Sequence, residues 1–157
     1  MKALTLTQPW ATLIALGQKR IETRDWYTPY RGPIAIHAAK GQPDWAAEFE
    51  NDLWCNSMED YGFELPRETP RGAIVAIAHL ADVCGMTREM IQDLARTNYA
   101  EFNFGNWAAG RFAWRLTDIR PLATPIPARG QLGLWEWDEN AAPITIAVPN
   151  PQMRLAL

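Results

Sequence analysis

The hydrophobic residues of this chain recur in short runs whose spacing predicts β-strands. The run GAIVAIAHLADV at residues 72–83 is apolar on both faces, which is typical of a central strand. In GRFAWRLTDI at 110–119, apolar residues alternate from Phe112 to Leu116, which predicts a strand with one buried face. The other predicted strands are KALTL at 2–6, RIETRDW at 20–26, PIAIHAAK at 33–40 and LGLWEW at 132–137.

Three segments between these strands carry helix signals. In QPWATLIALG, Pro9 suits a first helical turn, and Gly17 is placed to end the helix in a left-handed conformation. A second helix begins at Pro43 and has apolar residues at four-residue spacing, and Thr87 caps a third, TREMIQDLAR. NYAEFNFGNW at 98–107 is predicted as an aromatic-rich loop. Since strands and helices do not alternate regularly, the pattern predicts a mixed α+β domain with a mainly antiparallel, curled sheet.

Composition fits one globular domain of 157 residues, with 48% hydrophobic residues and eight tryptophans. The sequence has neither an apolar run long enough to span a membrane nor the layout of a signal peptide, so we expect a cytoplasmic protein. Cys55 and Cys84 are far apart, and with two histidines they form no metal-ligand spacing. We therefore expect free thiols, no structural metal and no cofactor.

Charge is distributed unevenly along the chain. Residues 1–40 carry a formal charge of +4, residues 41–66 carry −7, and the remainder is neutral, giving −3 in total. This asymmetry indicates a basic face and an acidic face, although the acidic block also fits the solvated side of the second helix.

The stretch GQKRIETRDW at residues 17–26 concentrates charge directly after the first helix. Strand alternation places Glu22, Arg24 and Trp26 on one face. In a cleft, Lys19 would act as a base or hold an oxyanion, and Glu22 would activate water or accept hydrogen bonds. The alternative is structural, with a surface salt bridge between Glu22 and Arg24 and a solvated Lys19 near the helix end.

LTLTQPWATLIALGQKRIETRDW, followed by TPYRGPIAIHAAK, resembles the ASCH domain family, a branch of the PUA-like superfamily. The shared motifs are the QPW that opens the first helix, the G-x-K-x-x-E of residues 17–22, the YRG of 30–32 and the HAAK of 37–40. The resemblance implies a small mixed or antiparallel β-barrel with peripheral helices. We expect this domain to occupy residues 1–140 and to be followed by an extended tail, 141–157.

The resemblance also implies an association with RNA. Some members of the family act as ribonucleases on single-stranded RNA, others remove an acyl group from acylated cytidine, and others are modules of coactivator-like proteins. We predict an RNA- or nucleoside-binding protein, with metal-independent cleavage of single-stranded RNA as the first enzymatic hypothesis. The alternatives are an amidohydrolase acting on a modified cytidine nucleoside and a non-catalytic RNA- or protein-interaction module.

The predicted catalytic residues are Lys19 and Glu22, and Glu101 is a weaker candidate for a second carboxylate. The predicted substrate-binding residues are Arg24, Trp26, Tyr30, Arg31, His37 and Lys40. Trp26 and Tyr30 are either packed or free to stack on an unpaired base. The amidohydrolase branch of the family carries a threonine nucleophile three residues after the lysine. That position is Glu22 here, and strand alternation turns Thr23 to the other face, so the threonine mechanism does not carry over.

Overall fold

The computed structural model describes residues 1–56 and 63–148 of the chain. Within these residues the strands are β1 (Lys2–Leu6), β2 (Ile21–Arg24), β3 (Gly32–Ala38), β4 (Ala73–Gly85), β5 (Phe112–Pro127) and β6 (Leu134–Glu136). The helices are α1 (Trp10–Ala15), α2 (Asp44–Asn56), α3 (Arg88–Thr97) and α4 (Tyr99–Asn103). Every predicted strand and all three predicted helices are present, with shifted boundaries.

The strands form one sheet with the order β2-β5-β4-β3-β1-β6. β1 and β3 run parallel, whereas every other neighbouring pair is antiparallel. Register shifts interrupt the β4–β5 ladder at three points and the β3–β4 ladder between Ile36 and His37. Because such bulges bend strands and increase their twist, the sheet curls into a half barrel. The prediction of a mixed α+β domain with a mainly antiparallel, curled sheet is confirmed.

Apolar side chains cover both faces of this sheet, as expected for strands with few polar positions. One cluster packs under α1 and includes Ile14, Ile36 and Trp114, all fully buried. Strand alternation turns a second set to the opposite face, where Ile74 and Trp135 pack together. The short α1 is therefore fixed against the sheet by its apolar side, because burial of that side stabilises it more than its six residues do alone.

The prediction of a loop at 98–107 is wrong in its first half, which forms α4. Asn98 caps this helix, and its side chain accepts a hydrogen bond of 3.1 Å from the backbone N–H of Glu101. Phe104, directly after the helix, is buried with Leu13 and Leu53, so one apolar cluster joins α1, α2 and α4. An aromatic residue that the sequence pattern assigned to a loop, Phe104, is instead buried against α1 and α2.

The described part of the predicted tail, residues 141–148, lies alongside β5 and is joined to it by two backbone hydrogen bonds. The backbone N–H of Ala123 donates to Thr145 at 2.8 Å, and that of Ala147 donates to Pro121 at 2.8 Å. Residues 149–157 lie outside the described residues. Within 1–56 and 63–148, no helix combines the length and the apolar character needed to cross a membrane.

Candidate functional site

A cavity of about 530 Å³ opens beside α1, between the end of β1, strand β2 and the first turns of α2. We call it the aromatic cleft; among its lining residues are Trp10, Glu22, Arg24, Trp45, Phe49 and Arg111. Pockets that hold small organic ligands usually measure about 300–1,000 Å³. The aromatic cleft is therefore large enough for one such ligand.

One wall of the aromatic cleft is a group of three aromatic rings. Trp10 and Phe49 stack with 5.2 Å between ring centroids and an interplanar angle of 11°. Trp45 lies 5.5 Å from Trp10, tilted by 51°, and is 62% exposed. Trp10 belongs to the apolar stripe of α1, and Trp45 and Phe49 belong to that of α2. The two stripes meet at the edge of the core. The wall therefore presents aromatic ring surface to the cavity.

The opposite side of the aromatic cleft carries a carboxylate between two cations. Glu22 Oε2 lies 3.5 Å from Lys19 Nζ, and Glu22 Oε1 lies 3.3 Å from Arg24 Nε. Arg24 also donates from Nη2 to the carbonyl oxygen of Thr5 at 2.9 Å, which holds the guanidinium against β1. Because both carboxylate oxygens face cations, the position of Glu22 is supported from two directions.

Lys19 is fully buried and does not line the aromatic cleft. Its ammonium group donates to the carbonyl oxygen of Ile21 and pairs with Glu22. Gly17 has φ of +75°, so the chain turns sharply after α1 and carries Lys19 inward rather than out to solvent. The prediction that Lys19 and Glu22 act together is consistent with this geometry, but Lys19 reaches the cleft only through Glu22.

Glu101 is a second buried carboxylate behind Glu22. Its two oxygens accept hydrogen bonds from the backbone N–H groups of Arg20, at 2.8 Å, and Ile21, at 3.0 Å. Burial raises the pKa of Glu101, and the charge of Lys19 and the two backbone donors oppose this effect. Glu101 thereby fixes the start of β2, and with it the direction in which Glu22 points.

Arg111 closes the aromatic cleft on the side of the loop after α4. It donates to the carbonyl oxygens of Asn106, at 3.1 Å, and Thr23, at 3.3 Å. The backbone N–H of Asn106 donates to the Thr23 hydroxyl at 3.0 Å. Thr23 lines the same cleft as Glu22, although strand alternation predicted that it faces away. Its hydroxyl is thus held by the loop rather than by Lys19.

A second cavity, of about 890 Å³, adjoins the first at Thr5, which lines both. We call it the basic cleft, because its lining includes the cations Lys40, Arg71 and Arg129 and no Asp or Glu. Gly130 also lines it and packs against His37 and Thr5. A Cβ atom added at Gly130 would lie 2.7 Å from His37 Nδ1 and 2.9 Å from Thr5 Oγ1, so only glycine fits at this position.

His37 is buried in the wall of the basic cleft, beside the bulge in β3. Its Nε2 lies 3.0 Å from the carbonyl oxygen of Ala128, which only accepts, so Nε2 carries the hydrogen. Burial lowers the pKa of His37, and this backbone hydrogen bond opposes the shift in part. The imidazole is therefore neutral at pH 7, with Nδ1 as an unprotonated acceptor.

We expect His37 to make folding less stable as the pH falls below about 6.5. Because its pKa is lower in the folded chain, the unfolded chain takes up a proton first, and stability is lost as the pH falls through the folded pKa. Thermal unfolding between pH 7.5 and 5 should therefore show a larger fall in Tm for the wild type than for His37→Gln, which retains a donor for Ala128. Parallel Tm curves for the two proteins would contradict this prediction.

The structure separates the eight predicted site residues into three groups. Lys19, Glu22 and Arg24 form one charged group, of which Glu22 and Arg24 line the aromatic cleft. His37 and Lys40 line the basic cleft. Trp26, Tyr30 and Arg31 lie in neither cleft. Their roles in binding stay predictions.

These last three side chains all have partners within the domain. The ring of Trp26 packs edge-on against Trp114 with centroids 4.6 Å apart, and the Tyr30 hydroxyl donates to the carbonyl oxygen of Pro33 at 2.6 Å. Arg31 donates to the carbonyl oxygens of Thr28, at 2.9 Å, and Tyr30, at 2.8 Å, and pairs with Asp82 at 3.4 Å. The packed alternative for Trp26 and Tyr30 thus describes their observed contacts.

Sequence reasoning missed several residues that line the two clefts. Trp10 and Phe49 fit apolar helix stripes, so their pattern indicated the core rather than a surface wall. Arg71 follows Pro70 and Arg129 precedes Gly130, so both lie beside turn-forming residues and carry no periodic signal. Among the described residues, no group of three or more His, Cys, Asp and Glu side chains is placed to hold a metal ion.

One family model and two related proteins match this chain. The sequence model of the ASCH domain family matches residues 4–125. Activating signal cointegrator 1 from Homo sapiens is 30% identical over 139 residues, which is 87% of this chain and 22% of that protein. The protein of the same name from Mus musculus has the same identity and coverage. The chain thus spans under a quarter of the length of these relatives.

Solved structures support the fold. ASCH from Zymomonas mobilis aligns with a TM-score of 0.53 and 15% sequence identity, and the alignment covers 88% of each chain. A point mutant of the same protein aligns with a TM-score of 0.51 and 14% identity, again over 88% of each chain. At this identity the likeness shows the fold alone, and it confirms the expected PUA-like architecture. Because the family model matches most of its length, this chain belongs to the ASCH domain family.

Proposed function

We propose that this protein binds single-stranded RNA by taking an unpaired base into the aromatic cleft. The observation that carries the proposal is that an aromatic wall, a carboxylate and two arginines line one cavity of about 530 Å³. Single-stranded nucleic acids are bound through such a combination, in which aromatic rings stack on bases and cations hold the backbone. RNA, rather than another nucleic acid, is suggested by the family resemblance.

The arrangement supplies both contacts that an unpaired base needs. Its flat face stacks on Trp45 or Trp10, which costs little ordering because Trp10 is already fixed by Phe49. An N–H group on its Watson–Crick edge, which is the ring N3–H in uracil, donates to the Glu22 carboxylate, which Lys19 and Arg24 hold in place. Arg111 stands at the rim, where a phosphate or ribose oxygen of the same nucleotide would lie.

Trp45→Ala tests this proposal. Loss of one stacking ring costs about 1–3 kcal/mol, so the affinity for single-stranded RNA should fall by about 5- to 150-fold. The measurement is fluorescence anisotropy with a labelled oligouridylate of ten nucleotides at fixed salt. Trp54→Ala is the matched control, since Trp54 lies on the same helix, stacks under Arg67 and does not line the aromatic cleft. Equal affinities for the two variants would contradict the proposal.

Cleavage of the bound RNA is a second candidate function, and the position of Glu22 favours it. A carboxylate in a cavity, with guanidinium groups beside it, is suited to accept the proton of a ribose 2′-hydroxyl. The 2′-oxygen then bonds to the neighbouring phosphorus, the bond from phosphorus to the 5′-oxygen breaks, and the departing oxygen takes a proton from water. Arg24 and Arg111 would stabilise the charge that develops on the phosphate.

Hydrolysis of an acylated cytidine would use the same carboxylate to activate water instead of a ribose hydroxyl. Lys19 acts in either reaction by positioning Glu22, because it is buried behind that carboxylate. The two reactions differ in product, so an assay that detects cleaved RNA and released cytidine separately distinguishes them. A binding module without chemistry needs only the stacking and charged contacts described above.

A further inference from the structure

The basic cleft brings together cations from three separate parts of the chain. The backbone N–H of Gly72 donates to the carbonyl oxygen of Ala38 at 2.8 Å, and the carbonyl oxygen of Gly72 accepts from the N–H of Ala128 at 3.0 Å. Lys40 lies two residues after Ala38, Arg71 directly precedes Gly72, and Arg129 directly follows Ala128. Two backbone hydrogen bonds therefore set all three cations around one cavity.

Two of these cations are free to take a ligand. Arg71 pairs with Glu50 at 2.8 Å, and Glu50 also accepts hydrogen bonds from Gln42 and Thr69. Lys40 and Arg129 are exposed, and neither forms an ion pair within residues 1–56 and 63–148. The cleft thus presents unneutralised positive charge with no carboxylate in its lining.

The two clefts meet at a single residue. Thr5 uses its backbone carbonyl to hold Arg24 at the aromatic cleft, and its hydroxyl accepts from Trp135 Nε1 at 3.1 Å beside Gly130 in the basic cleft. Thr5 is paired in register with His37 on β3 and lines both cavities, so the two clefts adjoin at this end of β1. A ligand longer than one nucleoside would continue from one cleft into the other.

We propose that the basic cleft is a phosphate subsite, in which Lys40 and Arg129 bind the backbone next to the nucleotide held in the aromatic cleft. This inference rests on the proposed function and makes the ligand a polynucleotide chain rather than a free nucleoside. The chemistry fits, because each added nucleotide contributes one phosphate and this cleft contributes cations without aromatic stacking. His37 is neutral and buried, so it shapes the wall and adds no charge.

The test compares the double variant Lys40→Ala/Arg129→Ala with Arg88→Ala/Arg120→Ala. The control removes the same charge from two exposed arginines that line neither cleft. Binding of a ten-nucleotide oligouridylate is measured at several salt concentrations, and binding of uridine, which has no phosphate, is measured by tryptophan fluorescence. Tm of each variant, obtained by circular dichroism, verifies that it is folded.

Loss of two phosphate contacts should lower the slope of log affinity against log salt by about 1.4. If the affinities converge near 1 M salt, this corresponds to about 25-fold weaker oligouridylate binding at 0.1 M. Uridine affinity should not change in the Lys40/Arg129 variant, and the control should retain the wild-type slope. Trp45→Ala should weaken binding of both ligands.

Two results would overturn the inference while leaving the proposed function intact. In one, the Lys40/Arg129 variant binds oligouridylate with the wild-type slope; in the other, its slope changes no more than that of the Arg88/Arg120 control. If the wild type binds neither oligouridylate nor uridine, the proposed function itself fails, and the subsite fails with it.

Discussion

Glu101→Ala should destabilise the protein by about 3–5 kcal/mol, the loss expected when one partner of a buried charged network is removed. Three groups lose their partner in this variant. The backbone N–H groups of Arg20 and Ile21 lose both oxygens that they now bind, and the buried Lys19 loses one of two nearby carboxylates. A domain of this size has only about 5–15 kcal/mol of net stability, so the variant should be close to unfolding at 37 °C.

Two further variants identify the cause of the loss. Glu101→Gln retains one oxygen acceptor but turns an amide N–H₂ toward a backbone donor, so it should lose most of the same stability. Glu48→Ala is the control for loss of a glutamate, since Glu48 is exposed on α2, and surface changes usually stay within about 0.5 kcal/mol. Urea unfolding at pH 7 gives the midpoint and slope for each protein. A loss below about 1 kcal/mol for Glu101→Ala would contradict the structural role assigned to this carboxylate.

The example of Glu101 shows where sequence reasoning about this protein succeeds and where it ends. Local signals were sufficient for the helix that starts directly after Pro9 and for Gly17, whose φ of +75° is the left-handed conformation that the pattern predicted. Thr87 caps α3 as predicted, accepting a 3.2 Å hydrogen bond from the backbone N–H of Met90. The signals for these features lie within about one turn of each other, so they can be recognised in the sequence alone.

The contacts that build the two clefts are long-range, and periodicity carries no information about them. Glu101 reaches Arg20 across 81 positions, and Trp10 meets Phe49 from another helix. An aromatic residue in an apolar helix stripe is buried in one fold and exposed at the rim of a cleft in another. The family motif was more informative, because G-x-K-x-x-E identified Lys19 and Glu22, which the structure then places in one ion pair.

The same motif indicated a catalytic lysine, and burial changes what that lysine can do. A fully buried ammonium group behind Glu22 can hold that carboxylate but cannot touch a ligand in the aromatic cleft without moving. Glu22, with 11% of its side chain exposed at the cavity, is the group of the pair that a substrate would meet. The hypothesis of RNA cleavage therefore depends on Glu22, and we expect substitution of this residue to have a large effect on the cleavage rate.

If Glu22 is the base for RNA cleavage, Glu22→Gln should lower the cleavage rate by about 10²- to 10⁴-fold, the usual contribution of a general base. The glutamine oxygen can accept from Arg24 while its N–H₂ group faces Lys19, so the Tm of Glu22→Gln has to be measured to verify that the variant is folded. In the folded variant, oligouridylate affinity should stay within about threefold. Glu22→Asp should recover part of the rate, because it restores a carboxylate set back by one methylene. Glu136→Gln, which changes an exposed carboxylate on β6, should cleave like the wild type.

The assay uses end-labelled single-stranded RNA with matched DNA, both in the presence of a metal chelator. Attack by a 2′-hydroxyl requires RNA, so the DNA should remain intact and the RNA product should end in a cyclic phosphate. Wild-type activity in Glu22→Gln would remove Glu22 from the mechanism. A different result would assign Glu22 to the activation of water. In that case the wild-type protein leaves RNA intact but releases free cytidine from an acylated cytidine, and Glu22→Gln does not. Both reactions need an ionised carboxylate at the cavity. Loss of either activity in Glu22→Gln, with binding retained, would explain why Lys19 and Arg24 both contact this one side chain.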